Sequence, residues 1–145
     1  MYRKSETFAA ISIVIIPLLI TIYLLFLSPY DLSASQKGEQ RIFGATYMTM
    51  NNPYFQVLDA QIQAHLELHG DVLLTRDAAM DQQRQNREIQ ELVDAGVCAI
   101  FMTPVEWDTS KEGLQIAADA GVPVIVVDAP VQATELVACS VLSDN

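Results

Sequence analysis

From Phe8 to Leu27 the chain runs twenty residues without a charge, most of them Ile, Leu, Val, Phe or Ala. A hydrocarbon core of about 30 Å takes about 20 helical residues to cross, whereas the apolar region of a secretory signal is usually about 7–15 residues long. The run therefore fits a membrane-spanning helix, and its length favours an uncleaved anchor over a cleaved signal. Pro17 predicts a kink, which membrane helices tolerate better than soluble ones. Arg3 and Lys4 precede the run and place that end in the cytoplasm, so whatever follows is exported. Tyr23 and Tyr30 fall where interfacial aromatics sit. The alternative is cleavage after Ala34 or Ser35, which releases the remainder into the periplasm or medium. No cysteine lies near the end of the run to support a lipoprotein anchor.

Residues 1–35 are thus read as an anchor or signal with a tether, Leu32–Gln40 (LSASQKGEQ) being small and polar. Residues 36–145 are the exported part, roughly 110 residues and enough for one modest core. A two-domain enzyme and a polytopic membrane protein are excluded. The formal charge of −10 lies wholly in the exported part, because Arg3, Lys4, Glu6 and Asp31 cancel. A surface that acidic repels phosphate backbones, and neither a basic stripe nor a helix-turn-helix pattern is present, so nucleic acid is not an expected partner.

From Arg41 onward short apolar runs alternate with helical periods. Arg41–Met48 reads as a strand. Asn52 can cap a helix with Pro53 in its first position, and Phe55, Leu58, Ile62 and Leu66 form its apolar stripe up to Gly70. Val72–Thr75 is a second strand. Asp81 caps a second helix closing at Gly96; its apolar face (Ile89, Leu92, Val93) is clear only in the second half, and Asn86 falls where that face calls for an apolar residue. Val97–Met102 and Val122–Val127 are continuous apolar runs, as for strands covered on both faces. Between them a third helix starts from Asp108 or Thr109 and ends at Ala120. Val137–Leu142 is a last short strand. Strand–helix alternation at this spacing means right-handed crossovers, and so a doubly wound α/β fold with a parallel sheet and helices on both faces.

In such sheets ligands bind beyond the carboxyl ends of the strands. Those ends carry Met48–Phe55, Thr75–Asp77, Thr103–Trp107, Asp128–Pro130 and Ser143–Asn145. Flat rings cover the CH faces of a sugar, while carboxylates and amides bind its hydroxyls. A polyol suits this rim better than a phosphate, and no glycine-rich loop follows the first strand to hold a dinucleotide. No cofactor is implied. His65 and His69 have metal-ligand spacing on one helix, but without a third ligand they read as a partly exposed surface pair.

The same segments resemble the N-terminal lobe of the type I periplasmic binding proteins, the ribose/galactose-type sugar-binding family. Asn51-Asn52-Pro53-Tyr54-Phe55 is similar to its NNPFF turn. Asp81 through Gly96-Val97-Cys98-Ala99-Ile100 resembles its D-P-x-x-Q…GVDAII stretch. Thr103-Pro104-Val105 is similar to its NPV, Gly121-Val122-Pro123-Val124 to its GIPVV, Val127-Asp128 to the VD before its binding Arg, and Ser143-Asp144-Asn145 to its SDN. The resemblance covers about residues 41–145. It implies ligand contacts at Asn52, Tyr54, Phe55 and Asp128, and at Ser143 with one extra residue intervening after Asp128. Thr103 stands where the family often has Asn and Ala129 where it usually has Arg, and losing those donors argues against ribose. In the family the SDN is followed by more of this lobe and by a second one, so the sequence reads as a fragment or truncated product.

Some of these residues carry plainer readings. Phe55 fits the buried stripe of its helix as well as a ligand contact. Trp107, one residue before a helix cap, suits packing or stacking on a ligand. Cys98 and Cys139 are expected as two buried free thiols. The leading function is an extracytoplasmic binding protein delivering a sugar or polyol to the permease of an ABC-type importer. The competing one is a membrane-anchored accessory module that docks on, or presents sugar to, a receptor kinase. Enzyme activity is not expected, since no Ser/His/Asp or Cys/His set is evident and fold alone licenses none.

Overall fold

The computed structural model describes residues 40–143 and the single residue Tyr23. The expected membrane run Phe8–Leu27, Tyr23 apart, lies outside them, as does the tether up to Glu39. Among the described residues no helix is long and apolar enough to cross a membrane.

The chain alternates β1 (Ile42–Tyr47), α1 (Pro53–Glu67), β2 (Val72–Asp77), α2 (Gln82–Asp94), β3 (Ile100–Met102), α3 (Lys111–Asp119), β4 (Val124–Asp128) and β5 (Cys139–Leu142), with a 3-10 turn at Thr134–Leu136. All strand pairs are parallel, in the order β2-β1-β3-β4-β5. The doubly wound parallel α/β fold is therefore present. Asn52 caps α1 by accepting from the Tyr54 N–H at 3.0 Å, with Pro53 following, and Asp81 caps α2 by accepting from Arg84 at 3.0 Å. The cap of α3 falls instead on Ser110, while the Thr109 hydroxyl turns back to Glu106 at 2.7 Å. The third strand is shorter than its apolar run because Val97–Ala99 forms an extended lead-in, in which Cys98 N–H donates to Ile42 O.

Residue alternation along the strands sends two sets of side chains to opposite faces. On one face Ile89 and Leu92 of α2 and Leu114 and Ala117 of α3 close over Ile100, Met102, Val124 and Val126, all buried. Here α2 comes down directly on Gly44, whose absent side chain leaves room for Leu92. Glu88 is buried on the same face, its carboxylate neutralised by Arg84 at 3.1 Å and bonded by the Thr46 hydroxyl at 2.8 Å. An isolated carboxylate there would be costly; paired and hydrogen-bonded, it ties α2 to β1.

The other face is covered less completely. α1 packs Phe55 and Leu58 against Ala45, Tyr47 and Phe101. Ile62 and Leu66 are only half-buried, beside an open groove of about 330 Å³ lined by Gln61, Ile62, His65, Leu66 and Phe101. Further across, Ile125 and Val127 are half-buried, and their β5 neighbours Cys139 and Val141 are exposed. Continuous apolar strands led to the expectation of cover on both faces; the described residues supply it fully on one. The same geometry corrects the reading of the thiols. Cys98 and Cys139 are both free, but both are exposed, because Cys98 precedes β3 and Cys139 lies on the edge strand.

Candidate functional site

Because every strand is parallel, all five exits share one edge of the sheet. β1 is followed by a crossover to β2 on one side and β3 lies on its other side, so the topological switch point falls between β1 and β3. Crevices form at such points. Here the first residues after the two strands are bonded to each other: the Met48 N–H donates to the Thr103 hydroxyl at 2.9 Å. Thr103 is fully buried. The structure thus places it beneath the rim, joining the two exits.

The loop after β1 is fixed from several directions. Asp77, at the end of β2, accepts from Met50 N–H at 3.0 Å and Ala79 N–H at 2.9 Å through one oxygen. Gln56, in the first turn of α1, donates to Met50 O at 2.7 Å. These contacts set the start of α1, where Tyr54 is 48% exposed and Phe55 only 3%. The two rings meet edge to face at 5.2 Å, and Phe55 in turn lies 6.1 Å from Tyr47. Phe55 is therefore a core residue supporting Tyr54, and Tyr54 is the ring presented to solvent. Asn52, also exposed, has its side-chain oxygen engaged in the cap. Beneath them the Tyr47 hydroxyl is buried and meets no hydrogen-bond geometry among the described residues. Burial, and then the Asp59 carboxylate, push its pKa well above the usual phenol value. The Asp59 carboxylate itself accepts from the Thr75 hydroxyl at 2.7 Å.

Beyond β3 the loop carries Trp107 to the surface, 54% exposed, with its carbonyl accepting from Gln132 N–H at 2.9 Å. At the last residue of β4, Asp128 takes a left-handed backbone at φ 74. Non-glycine residues in that region carry strain and concentrate at functional sites. The Ser143 hydroxyl donates to the Asp128 carboxylate at 2.8 Å, and Ser143 N–H to the Asp128 carbonyl at 3.3 Å. The structure therefore brings Asp128 and Ser143 together as one bonded pair, and sets Asn52 and Tyr54 at the cap and first turn of α1, after β1. His65 and His69 are exposed on and just after α1, away from the rim.

Asp77 lies in the strand exit Thr75–Asp77 and Gln85 at the Q of the D-P-x-x-Q stretch that begins at Asp81, but the sequence alone assigns a role to neither of them, nor to Gln82. Gln85 is fully buried, donating to Thr103 O at 2.9 Å and accepting from Val105 N–H at 3.1 Å. Gln82 accepts from Glu106 N–H at 3.2 Å and donates to Asn86, which donates to Glu112 at 2.9 Å. The available signal was the run of amides on the inner face of α2, with Asn86 among them. They are there because that half of the helix faces a loop with backbone groups to satisfy, not a sheet.

The parallel sheet thus gathers its strand exits on one edge, with a solvent-facing ring, Tyr54, and a carboxylate on left-handed backbone, Asp128, at two of them. The periplasmic binding protein domain family matches residues 43–145, and the chain belongs to that family, in its type I sugar-binding branch. Over 96 residues it is 28% identical to the ribose import binding protein of Bacillus subtilis, covering 65% of this chain and 32% of that protein. An ABC transporter solute binding protein from Mycobacterium smegmatis, solved with bound glycerol, superposes with a TM-score of 0.62 at 29% identity, over 65% of this chain and 33% of that one. A galactofuranose binding protein shares the fold with a TM-score of 0.66 at 24% identity, over 72% of this chain and 36% of its own. The chain thus spans about a third of the length of the relatives it matches.

Proposed function

We propose that residues 36–145 form one wall of an extracytoplasmic binding site for a sugar or related polyol, in a protein serving an ABC-type importer. Residues 1–35 export it and hold it at the membrane. The observation that carries this reading is an exposed Tyr54 after β1 and a half-buried Asp128 on left-handed backbone at the end of β4, both on the strand-exit edge of a periplasmic-binding-protein lobe. In this reading Tyr54 and Trp107 lie against the CH faces of the ring. Asp128 accepts from ligand hydroxyls and is held by Ser143, and the Asn52 amide adds a polar contact at the helix start. Phe55 and Thr103 act from beneath, by supporting Tyr54 and the loop. The names of the relatives, which are solute carriers for small polyhydroxylated molecules, support the ligand class.

The test is a panel of mono- and disaccharides and linear polyols, read by thermal stabilisation. A ligand at one hundred times its Kd stabilises by about 2.7 kcal/mol, a shift of about 10 °C or more for a domain of this size. Stabilisation by at least one polyol, lost in Asp128→Ala, is expected. A panel without any shift overturns the reading.

A further inference from the structure

The Thr103–Trp107 loop is held by very little of the sheet. Thr103 N–H donates to Thr46 O at one end of the loop and Trp107 O accepts from Gln132 N–H at the other; between these two ties its backbone bonds go to side chains of α2. Gln85 meets a carbonyl and an N–H two residues apart, Thr103 O at 2.9 Å and Val105 N–H at 3.1 Å. One turn earlier Gln82 takes the Glu106 N–H at 3.2 Å. A carboxamide is the one side chain that offers a donor and an acceptor at this spacing, whereas an ionised Glu only accepts and a Leu does neither. Gln85 is closed to solvent, so water cannot replace it. Gln82 is oriented in turn through Asn86 to Glu112 on α3.

We propose that Gln85, assisted by Gln82, is the positioning residue of the rim: its amide fixes the path of the Thr103–Trp107 loop and so the place of Trp107. As an account of ligand binding this rests on the reading that Trp107 lines the site. As an account of loop geometry it stands alone. The chain holds a single tryptophan, so intrinsic fluorescence reports this loop directly, with no ligand present.

The experiment compares wild type with Gln85→Glu, which keeps size and one acceptor while setting a carboxylate against the Thr103 carbonyl. Expected are a red-shifted Trp107 emission, greater quenching by acrylamide and roughly tenfold faster amide exchange at Val105, the loss of one hydrogen bond. Exchange in β1 and β4 stays unchanged. If Gln85→Glu fails to fold by circular dichroism, Gln82→Ala carries the test, with faster exchange at Glu106 and the same direction of emission change. Unchanged emission and unchanged loop exchange in the folded variant overturn the proposal. A moved loop alongside a sugar panel without response leaves the clamp standing and removes only the binding reading.

Discussion

Gly113 sits inside α3, where replacing Gly by Ala ordinarily stabilises a helix by about 1 kcal/mol. The packing of α2 on α3 reverses that expectation. A Cβ at Gly113 would stand 2.7 Å from the Ile89 Cδ1 and 2.8 Å from the Asn86 Oδ1. The Ile89 tip can rotate, though it is fully buried and has little free volume to enter. Asn86 cannot retreat without cost, because its oxygen accepts from Gln82 at 2.9 Å and its nitrogen donates to Glu112 at 2.9 Å. Overpacking of this kind costs about 1–3 kcal/mol. Set against the helix gain, Gly113→Ala is destabilised by about 1 kcal/mol, with about 2 as the upper end. Urea denaturation reads this as a midpoint lower by roughly 0.5–1 M, for a slope of about 1–2 kcal/mol/M. A double-mutant cycle with Ile89→Val should show favourable coupling of about 0.5 kcal/mol or more, since the shorter side chain vacates the contested space. A Gly113→Ala protein as stable as wild type would refute the close approach of the two helices.

Three further outcomes follow from the same geometry. Asn52→Ala removes the cap of α1 and costs about 1 kcal/mol in chemical denaturation, whereas Asn52→Asp retains an acceptor and costs little. Asp71 is held below the ordinary carboxylate pKa first by its hydrogen bonds from Arg41, whose guanidinium lies at 2.6 Å. Its stabilising contribution is therefore present above the unfolded carboxylate value, about 3.9, and is lost as pH falls through the lower folded value. Asp71→Asn should be less stable than wild type at neutral pH, with the two denaturation midpoints converging in acid. Cys98 and Cys139, free and exposed, should both react with a thiol reagent in the folded protein at comparable rates, and one slow thiol would contradict their placement.

Much of the fold was legible because the strand exits and helix starts carry their own signals. Asn52-Pro53 and Asp81 cap where expected, and Gly96 and Gly121 adopt left-handed backbone after α2 and α3. Periodicity could not tell that the stripe of α1 would be only half covered, since Ile62 and Leu66 read as core whether or not anything closes over them. Nor could it give the state of the thiols: apolar neighbours in sequence do not bury Cys98 when the strand begins two residues later. At the rim, residue type located Tyr54 and Asp128. Periodicity separated Tyr54 from Phe55, since Phe55 falls in the apolar stripe of α1 and Tyr54 off it, and the structure buries the one against Tyr47 and leaves the other half exposed. Gln85, at the Q of the D-P-x-x-Q stretch, had no role assigned, because a polar residue on an inner helix face has meaning only once its partner loop is in place.

If a polyol binds across Tyr54, Trp107 and Asp128, isothermal titration of the full chain with the best ligand of the panel, repeated in Tyr54→Ala, shows it. Tyr54 is about half exposed, so the substitution should leave the urea midpoint nearly unchanged. Saturable binding is expected of the wild type, with an affinity at least about tenfold weaker in Tyr54→Ala, the loss of one ring contact. Equal affinities in the two proteins, or no saturable heat in either, would rule out a polyol on this rim.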